Sequence, residues 1–410
     1  MTSKLIGRLM VGQSGGPTAV INSSLVGVIQ EAMRHGEIED IYGMVHGVEG
    51  LLKENLIDLK RENPETIEGL LHVPASALGS CRHKLSTEDY EQIVRLFKAH
   101  NVRYFAYIGG NDSMDTAFKV AQLAGSMGYE LRAIGIPKTI DNDLIHTDHT
   151  PGYGSAARFL AMAAMDVGRD LEAMNTFDNV IIMETLGRNA GWLPAAAALA
   201  KKRPEDAPHL VYFPEIAFNE DEFLADVQTI YKEIGQVFVV VPAFLRDTKG
   251  DIVGANMASL QKDAFGNTLM SQSSSTPAGY LRELVTKKLK LKARLMLPGL
   301  IGRDSSTCVS RTDQEEAYLV GRHAVLEAVQ GNSGNMITLV REPGATYMCT
   351  TGLVPLEKVA NEERLLPREF INVRGNGVSD AYLKYAYPLL GDRLPEYGRL
   401  QGFSVPKRIS

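Results

Sequence analysis

Residues 135–144 read Gly135-Ile136-Pro137-Lys138-Thr139-Ile140-Asp141-Asn142-Asp143-Leu144. The apolar run Leu131 to Ile136 leading into them has the length and composition of a buried strand. Pro137, which has no N–H to give to a sheet, ends it. A cation, a hydroxyl and two acids then follow within six residues: Lys138, Thr139, Asp141 and Asp143. Polar side chains packed this tightly at a strand exit suit the carboxyl edge of a parallel sheet, where open α/β folds hold ligands. The same residues would also make a polar turn in which Asp143 only caps the next segment, so the neighbouring stretches have to decide.

Two earlier stretches repeat the arrangement. Arg8 to Val11 closes a short N-terminal strand, and Gln13-Ser14-Gly15-Gly16-Pro17-Thr18 is the turn after it. Val20, Ile21, Leu25, Val28 and Ile29 follow at helical spacing. Tyr104 to Ile108 is again strand-like, runs into Gly109-Gly110-Asn111-Asp112-Ser113, and is backed by a helix expected over Met114–Met127. Strand, glycine turn and helix together aim backbone N–H groups at a phosphate. Between these units lie a strand over Ile38–Val45, the small-residue turn Ala77-Leu78-Gly79-Ser80-Cys81-Arg82 and a helix over Tyr90–Ala99. Three polar strand exits in succession predict a doubly wound sheet with a polyphosphate site along one edge.

A second half is expected from Pro151 onward. It alternates helices over Ala156–Met174, Trp192–Ala200, Glu222–Ile234 and Tyr280–Leu289 with strands over Val180–Met183, Leu210–Phe213, Val237–Val241 and Ala293–Leu297. Arg246–Ser275 is polar and glycine-containing, and reads as a surface excursion. A helix over Gln314–Ala328 and a strand over Met336–Val340 precede a mixed pattern that continues to the end. The fold class is therefore α/β: two Rossmann-like units with mainly parallel sheets.

Composition excludes several classes. With 44% hydrophobic and 22% charged residues and a net charge of −6, the chain is an ordinary globular protein without the basic field that nucleic acid requires. No apolar run reaches the roughly 18 residues of a membrane span, and no secretory leader precedes the first strand, so a cytoplasmic enzyme is expected. Cys81, Cys308 and Cys349 are scattered and odd in number, which makes neither a disulfide framework nor a zinc site. Gly12-Gln13-Ser14-Gly15-Gly16 fits the G-x-S-x-G nucleophile elbow, but that elbow needs an upstream oxyanion loop, and only one strand precedes it. Gly152-Tyr153-Gly154-Ser155-Ala156-Ala157 fits G-x-G-x-x-A, yet follows Asp148-His149-Thr150-Pro151 rather than a strand, so it fails the dinucleotide context. No Walker A sequence exists.

Taken together, the strand exits resemble those of the phosphofructokinase family. The matching pieces are Gly15-Gly16, Gly79-Ser80-Cys81-Arg82, Gly109-Gly110-Asn111-Asp112-Ser113, Pro137-Lys138-Thr139-Ile140-Asp141-Asn142-Asp143, Leu186-Gly187-Arg188, Pro214-Glu215 and Gly299-Leu300-Ile301-Gly302-Arg303. They fall in the family's order over residues 5–330. The resemblance implies the phosphofructokinase fold, with a phosphoryl-donor domain from residues 1–150 plus about 302–345. The sugar-phosphate domain would comprise 151–301 plus about 346–410. It implies Asp141 as the base toward the 1-hydroxyl of fructose 6-phosphate, with Thr139 beside it, and Gly15, Gly16 and Arg82 on the donor phosphate. Ile140, Leu186, Gly187, Arg188, Glu215 and Leu300 would line the sugar phosphate, and Arg303 would clamp its 6-phosphate. Arg294, nine residues before Arg303, would reach in from a neighbouring subunit, making a homodimer or homotetramer with shared sites. Mg²⁺ is the implied cofactor, with Asn111 as its candidate ligand.

The family divides by donor. ATP users generally carry glycine where this chain has Asp112, whereas the diphosphate type pairs an aspartate there with a lysine at the position of Lys138. A carboxylate about 4 Å from an α-phosphate charge costs about 4 kcal/mol at an effective dielectric of 20. Asp112 therefore favours inorganic diphosphate, with ATP-dependent phosphorylation or a non-catalytic subunit of the same fold as the alternatives. Three positions depart from the pattern. Asn111 replaces the usual acid, Leu300 stands where relatives have His or Tyr, and Asn179 stands where ATP enzymes have a second intersubunit arginine.

Overall fold

The computed structural model describes residues 4–254, 261–262, 268–269 and 276–409. In chain order the first half supplies strands β1 (Gly7–Gln13), β2 (Ile38–Met44), β3 (Leu56–Asp58), β4 (Val102–Gly109) and β5 (Arg132–Pro137). The second supplies β6 (Val180–Thr185), β7 (Leu210–Val211), β8 (Val237–Pro242), the short antiparallel pair β9 (Gln261–Lys262) and β10 (Thr268–Leu269), and β11 (Ala293–Met296). β12 (Asn335–Arg341) and β13 (Cys349–Pro355) then close the series. The large sheet has the order β13-β12-β5-β4-β1-β2-β3 and the smaller one β11-β6-β8-β7. The smaller sheet is parallel throughout, and the larger has antiparallel pairs only at its two margins, β2 with β3 and β12 with β13. The α/β reading with two mainly parallel sheets stands.

Burial explains why β1 reads as a continuous apolar run. Leu9 and Val11 pack with Leu25, Ile29, Val320 and Ala324 of helices Ile21–Ala32 and Arg311–Gln330 on one face. Met10 points to the other face, among Val94, Phe97, Ala117 and Val120 of helices Thr87–Ala99 and Asn111–Ser126. Both faces are covered, so polar alternation is absent, as parallel sheets require. Helices Ile21–Ala32 and Arg311–Gln330 approach closely because Gly27 lies against the Tyr318 carbonyl and Gly321 against Ser24, where any Cβ would collide.

Several expected helices begin earlier than hydrophobic periodicity placed them, and at three of them a capping contact shows why. The one expected from Gln314 starts at Arg311, with Ser310 accepting from the Asp313 N–H (3.3 Å). The one expected from Tyr280 starts at Pro277 behind the Thr276 cap. The long helix expected from Ala156 starts at Tyr153, so the Gly152–Ala157 run lies at its N-terminus. There Asp313 accepts from the N–H groups of Gly152 (2.8 Å) and Ser155 (2.9 Å) and from the Ser155 hydroxyl. A carboxylate thus already fills the place a dinucleotide phosphate would take. Of the expected excursion Arg246–Ser275, residues 255–260, 263–267 and 270–275 lie outside the described residues.

The division of the tail differs from the expected boundary near residue 345. β13 pairs with β12 along its whole length, from Arg341–Cys349 to Asn335–Pro355. Leu356 and Val359 still pack in the core of the large sheet. Only beyond them does the chain cross over, burying Leu366, Ile371, Tyr382, Leu389 and Leu390 in the core of the second half. The turn signal of the β12–β13 hairpin is Pro343-Gly344, which lies inside the stretch that otherwise reads only as a mixed pattern.

Candidate active site

Because β1, β4 and β5 are parallel neighbours in register, with Gln13 beside Ile108 and Gly109 beside Pro137, their exits lie side by side. Lys138 ties them together. Its backbone N–H donates to the Gly109 carbonyl (3.0 Å) and its ammonium to the Gly16 carbonyl (2.9 Å). Gly15 has φ +77°, in the left-handed region, and a Cβ there would sit 3.0 Å from Lys138 Nζ, so glycine answers both to backbone and to space. Ser14 is buried and its hydroxyl is bonded to that of Ser113. It latches the first turn to the second, and no nucleophile is presented.

Gly15, Gly16, Pro17, Ser80, Cys81, Arg82 and Arg303 line one open cleft of about 210 Å³, several times a water's share of liquid, about 30 Å³. The Arg303 guanidinium lies beside Gly16, where a Cβ would be 3.3 Å from Nη1. The short helix Ile301–Asp304 that carries it is anchored by the Ala19 N–H donating to the Arg303 carbonyl (3.0 Å). Arg303 therefore faces the same cleft as Arg82. Helix Asn111–Ser126 starts directly after β4, three residues earlier than the hydrophobic pattern suggested, and Gly110 offers its N-terminus no side-chain cap. Exposed Asp112 sits in that first turn. Asn111 Oδ1 is buried without a hydrogen-bond partner.

Asp141 lies where the two halves meet. Its N–H donates to Thr139 Oγ1 (3.1 Å), and its Oδ1 is buried with no donor. A Cβ on Gly187, whose φ is +104°, would be 3.6 Å from that oxygen. Burial raises the Asp141 carboxyl above the ordinary range, and Arg188 and Lys138 oppose the rise without cancelling it. Burial, with Asp141 and Glu363 adding, lifts Asp143 to about 7. Burial also pushes Lys138 down to about 8, against the pull of Asp141 and Asp143. One cation and two acids thus share a dry corner with proton affinities drawn together, the situation in which proton transfer near neutrality is easiest. Asn142 is structural. It is buried in the left-handed region (φ +54°), accepts from the Thr150 N–H (3.0 Å) and donates to the Tyr385 hydroxyl (3.0 Å).

On the other side, Ile140, Leu186 and Gly302 line a small recess with Thr185 and Pro298. Glu215 Oε1 accepts from the N–H groups of Gly191 and Leu366, both at 2.7 Å, while Oε2 is buried without a donor. Leu300 is 55% exposed at the lip. Arg294 does not reach the cleft of its own chain: it lies on edge strand β11, paired with Asp178 (2.5 Å). Asn179 donates to the Tyr231 hydroxyl (3.2 Å) and accepts from the Lys292 N–H (3.0 Å), a purely internal role.

Sequence reasoning missed the tail. The Arg364 N–H donates to the Asp143 carbonyl (2.7 Å). Its guanidinium donates to the carbonyls of Thr147 and Asp148, both at 2.7 Å, and lies 4.4 Å from the centre of the Trp192 ring. Next to these carbonyls, buried His149 is held between Asp148 (2.8 Å) and Glu316 (2.6 Å), and Arg341 reaches Asp148 (2.9 Å). Burial pulls His149 down, but Glu316 and Asp148 together raise it to about 9. An arginine next to two acids in an irregular segment carries no pattern; only the isolated Trp192, which needs a partner for its indole N–H when buried, hinted that something covers it.

The chain matches the phosphofructokinase family over residues 8–326. It is 41% identical over 406 residues to the pyrophosphate–fructose 6-phosphate 1-phosphotransferase of Rhodospirillum rubrum, across 98% of this chain and 99% of that protein. It is 39% identical to the same-named protein of Xanthomonas campestris pv. campestris, across 98% of each. The crystal structure of a pyrophosphate-dependent phosphofructokinase from Marinobacter aquaeolei superposes with a TM-score of 0.85, at 35% identity and 99% coverage of both chains.

Proposed function

This chain belongs to the phosphofructokinase family, and we propose that within it the protein moves a phosphoryl group reversibly between inorganic diphosphate and the 1-hydroxyl of D-fructose 6-phosphate. The products of the forward direction are fructose 1,6-bisphosphate and phosphate. One observation supports the donor choice: Lys138 bonds to the carbonyl of Gly16, a residue of the cleft wall, and Asp112 lies in the first turn of the helix that follows the neighbouring strand β4. Its near-full-length relatives in Rhodospirillum and Xanthomonas are named for the same donor.

Asp141 takes the proton of the 1-hydroxyl as that oxygen attacks the near phosphorus of diphosphate. Its unpartnered Oδ1 is the acceptor and Thr139 fixes the loop. The P–O bond to the departing phosphate breaks, and Lys138 meets the charge that gathers there, with Arg82 and the backbone of Gly15 and Gly16 holding the non-reacting oxygens. Arg188 and Arg303 receive the sugar phosphate, Glu215 its hydroxyls, and Leu186, Gly187, Ile140 and Leu300 shape the recess. Asn111 fits a hard cation: its buried carbonyl oxygen has no protein partner. Among the described residues no group of three or more His, Cys, Asp or Glu is placed to hold a metal ion, so a cation here would rest on Asn111 with substrate phosphates and waters, as Mg²⁺ can. Bound Mg²⁺ would neutralise diphosphate charge.

Asp112 is exposed, so its penalty against an α-phosphate lies between about 1 kcal/mol in water and about 4 kcal/mol at a dielectric of 20. Discrimination against ATP is then about 5- to 1,000-fold. Assembly as a homo-oligomer is part of the reading. Arg294 on the edge strand, with the exposed Phe177 ring 6.0 Å from its guanidinium and Leu297 and Ile301 exposed shortly after it in sequence, supports a surface for a second copy. Among the described residues no helix is long and apolar enough to cross a membrane, consistent with a cytoplasmic enzyme of glycolysis and gluconeogenesis. The test is the reverse direction: protein given fructose 1,6-bisphosphate and inorganic phosphate should release diphosphate and fructose 6-phosphate. Activity that required ADP instead would overturn the donor assignment.

A further inference from the structure

The tail reaches the sugar side at three points in succession. The Arg364 N–H donates to the Asp143 carbonyl, the Leu366 N–H donates to Glu215 Oε1, and between the Asp143 loop and the turn after β6, Asn189 Nδ2 donates to Glu363 Oε2 (3.0 Å). Glu363 is thereby held at the rim by the residue next to Arg188, on a strap whose backbone is pinned on both sides. Glu363 is exposed, and its charge adds to the rise in proton affinity at Asp141, Asp143 and Glu215. A neutral amide orients it, so its charge is kept and not cancelled by that contact.

We propose that Glu363 is a sugar-contact residue, whose carboxylate accepts a hydrogen bond from a hydroxyl of the bound sugar phosphate and helps select which sugar phosphates enter. Carboxylates can only accept, so a wall formed by Glu363 and the unpartnered Glu215 Oε2 matches hydroxyl donors. The same wall repels a phosphate, sulfonate or carboxylate presented there. Arg188 and Arg303 attract the phosphate, so the two kinds of charge orient the sugar end to end. Asn189 is a positioning residue that aims Glu363.

This inference rests on the fructose 6-phosphate reading above. Its test uses binding of fructose 6-phosphate to the full chain, measured by calorimetry without a donor, alongside KM for both substrates. Glu363→Ala should weaken fructose 6-phosphate about 10- to 100-fold, the loss expected for a hydrogen bond to a charged acceptor. KM for diphosphate and the unfolding midpoint should stay unchanged. Glu363→Asp should recover part of the loss, and Asn189→Ala should show a smaller one. Among analogues of fructose 6-phosphate lacking one ring hydroxyl, one should bind the wild type as weakly as it binds Glu363→Ala, with no further loss in the variant. Equal fructose 6-phosphate affinity in wild type and Glu363→Ala, or additive losses for every analogue, overturns the proposal. A wild type that binds fructose 6-phosphate but gives no turnover with diphosphate overturns the donor reading alone. One that does not bind it overturns both.

Discussion

The two sides of the cleft are assembled from opposite kinds of chain. The donor side comes from three strand exits adjacent in the large sheet, after β1, β4 and β5, each a few residues long and joined through Lys138. The sugar side comes from β6 and the loop at Glu215, which are far apart in sequence, and is completed by residues 363–366 of an irregular tail. Local chemistry therefore decides what is transferred. Long-range packing decides how the acceptor is seated, and mutations on the two sides should separate rate from sugar affinity.

The sharpest way to break that separation is at Asp141, which belongs to both sides. Asp141→Asn should lower kcat by about 10²–10⁴-fold, the usual worth of a general base, while leaving diphosphate binding intact. A residual rate within fivefold of wild type would remove Asp141 from the chemistry. The double variant Asp112→Gly with Lys138→Gly should shift the donor ratio toward ATP by about 10- to 1,000-fold, chiefly by losing diphosphate activity. If the ratio stays put, the donor side is not defined by these two residues.

Smaller effects come from the tail and the network behind it. Arg364→Ala removes a guanidinium that holds two carbonyls and covers Trp192. It should cost about 2–3 kcal/mol in denaturant unfolding and raise KM for the sugar phosphate, with KM for diphosphate unchanged. An equal rise in both would mean that the tail supports the whole cleft. His149 shows itself only in the pH dependence of stability. Its pKa is raised in the folded state to about 9, from about 6.5 when unfolded. The stability it contributes is therefore complete below about pH 6.5 and lost as pH rises through 9, a change of about 3 kcal/mol. The unfolding midpoint should fall between pH 6.5 and 9 in the wild type, and His149→Gln should flatten that fall. A wild-type midpoint that is level across this window contradicts the buried charged pairings.

This contrast also explains what could be read in advance. β1, β4 and β5 with their turns are legible because glycine, proline and clustered polar residues at a strand exit have local causes. Gly15 needs positive φ, and Lys138 needs a carbonyl and a ligand. Helices start earlier than periodicity places them both where the cap is the residue just before, as with Ser310 and Thr276, and where it comes from afar, as with Asp313 at the helix beginning at Tyr153. Arg303, expected by resemblance at the sugar's 6-phosphate, stands between the cleft that it lines with Gly16 and Arg82 and the recess lined by its neighbour Gly302. A residue between two ligands has no sequence signature for which one it meets. Glu363 and Arg364 were invisible because their meaning depends on Asn189, Trp192 and the Asp143 carbonyl, partners far away along the chain.

The central claim is the donor, and initial rates test it most directly. With Mg²⁺ and fructose 6-phosphate present, purified protein should form fructose 1,6-bisphosphate with diphosphate at a kcat/KM at least fivefold above that with ATP. Equal rates, or a preference for ATP, would contradict the assignment of Asp112 and Lys138 as the residues that choose it.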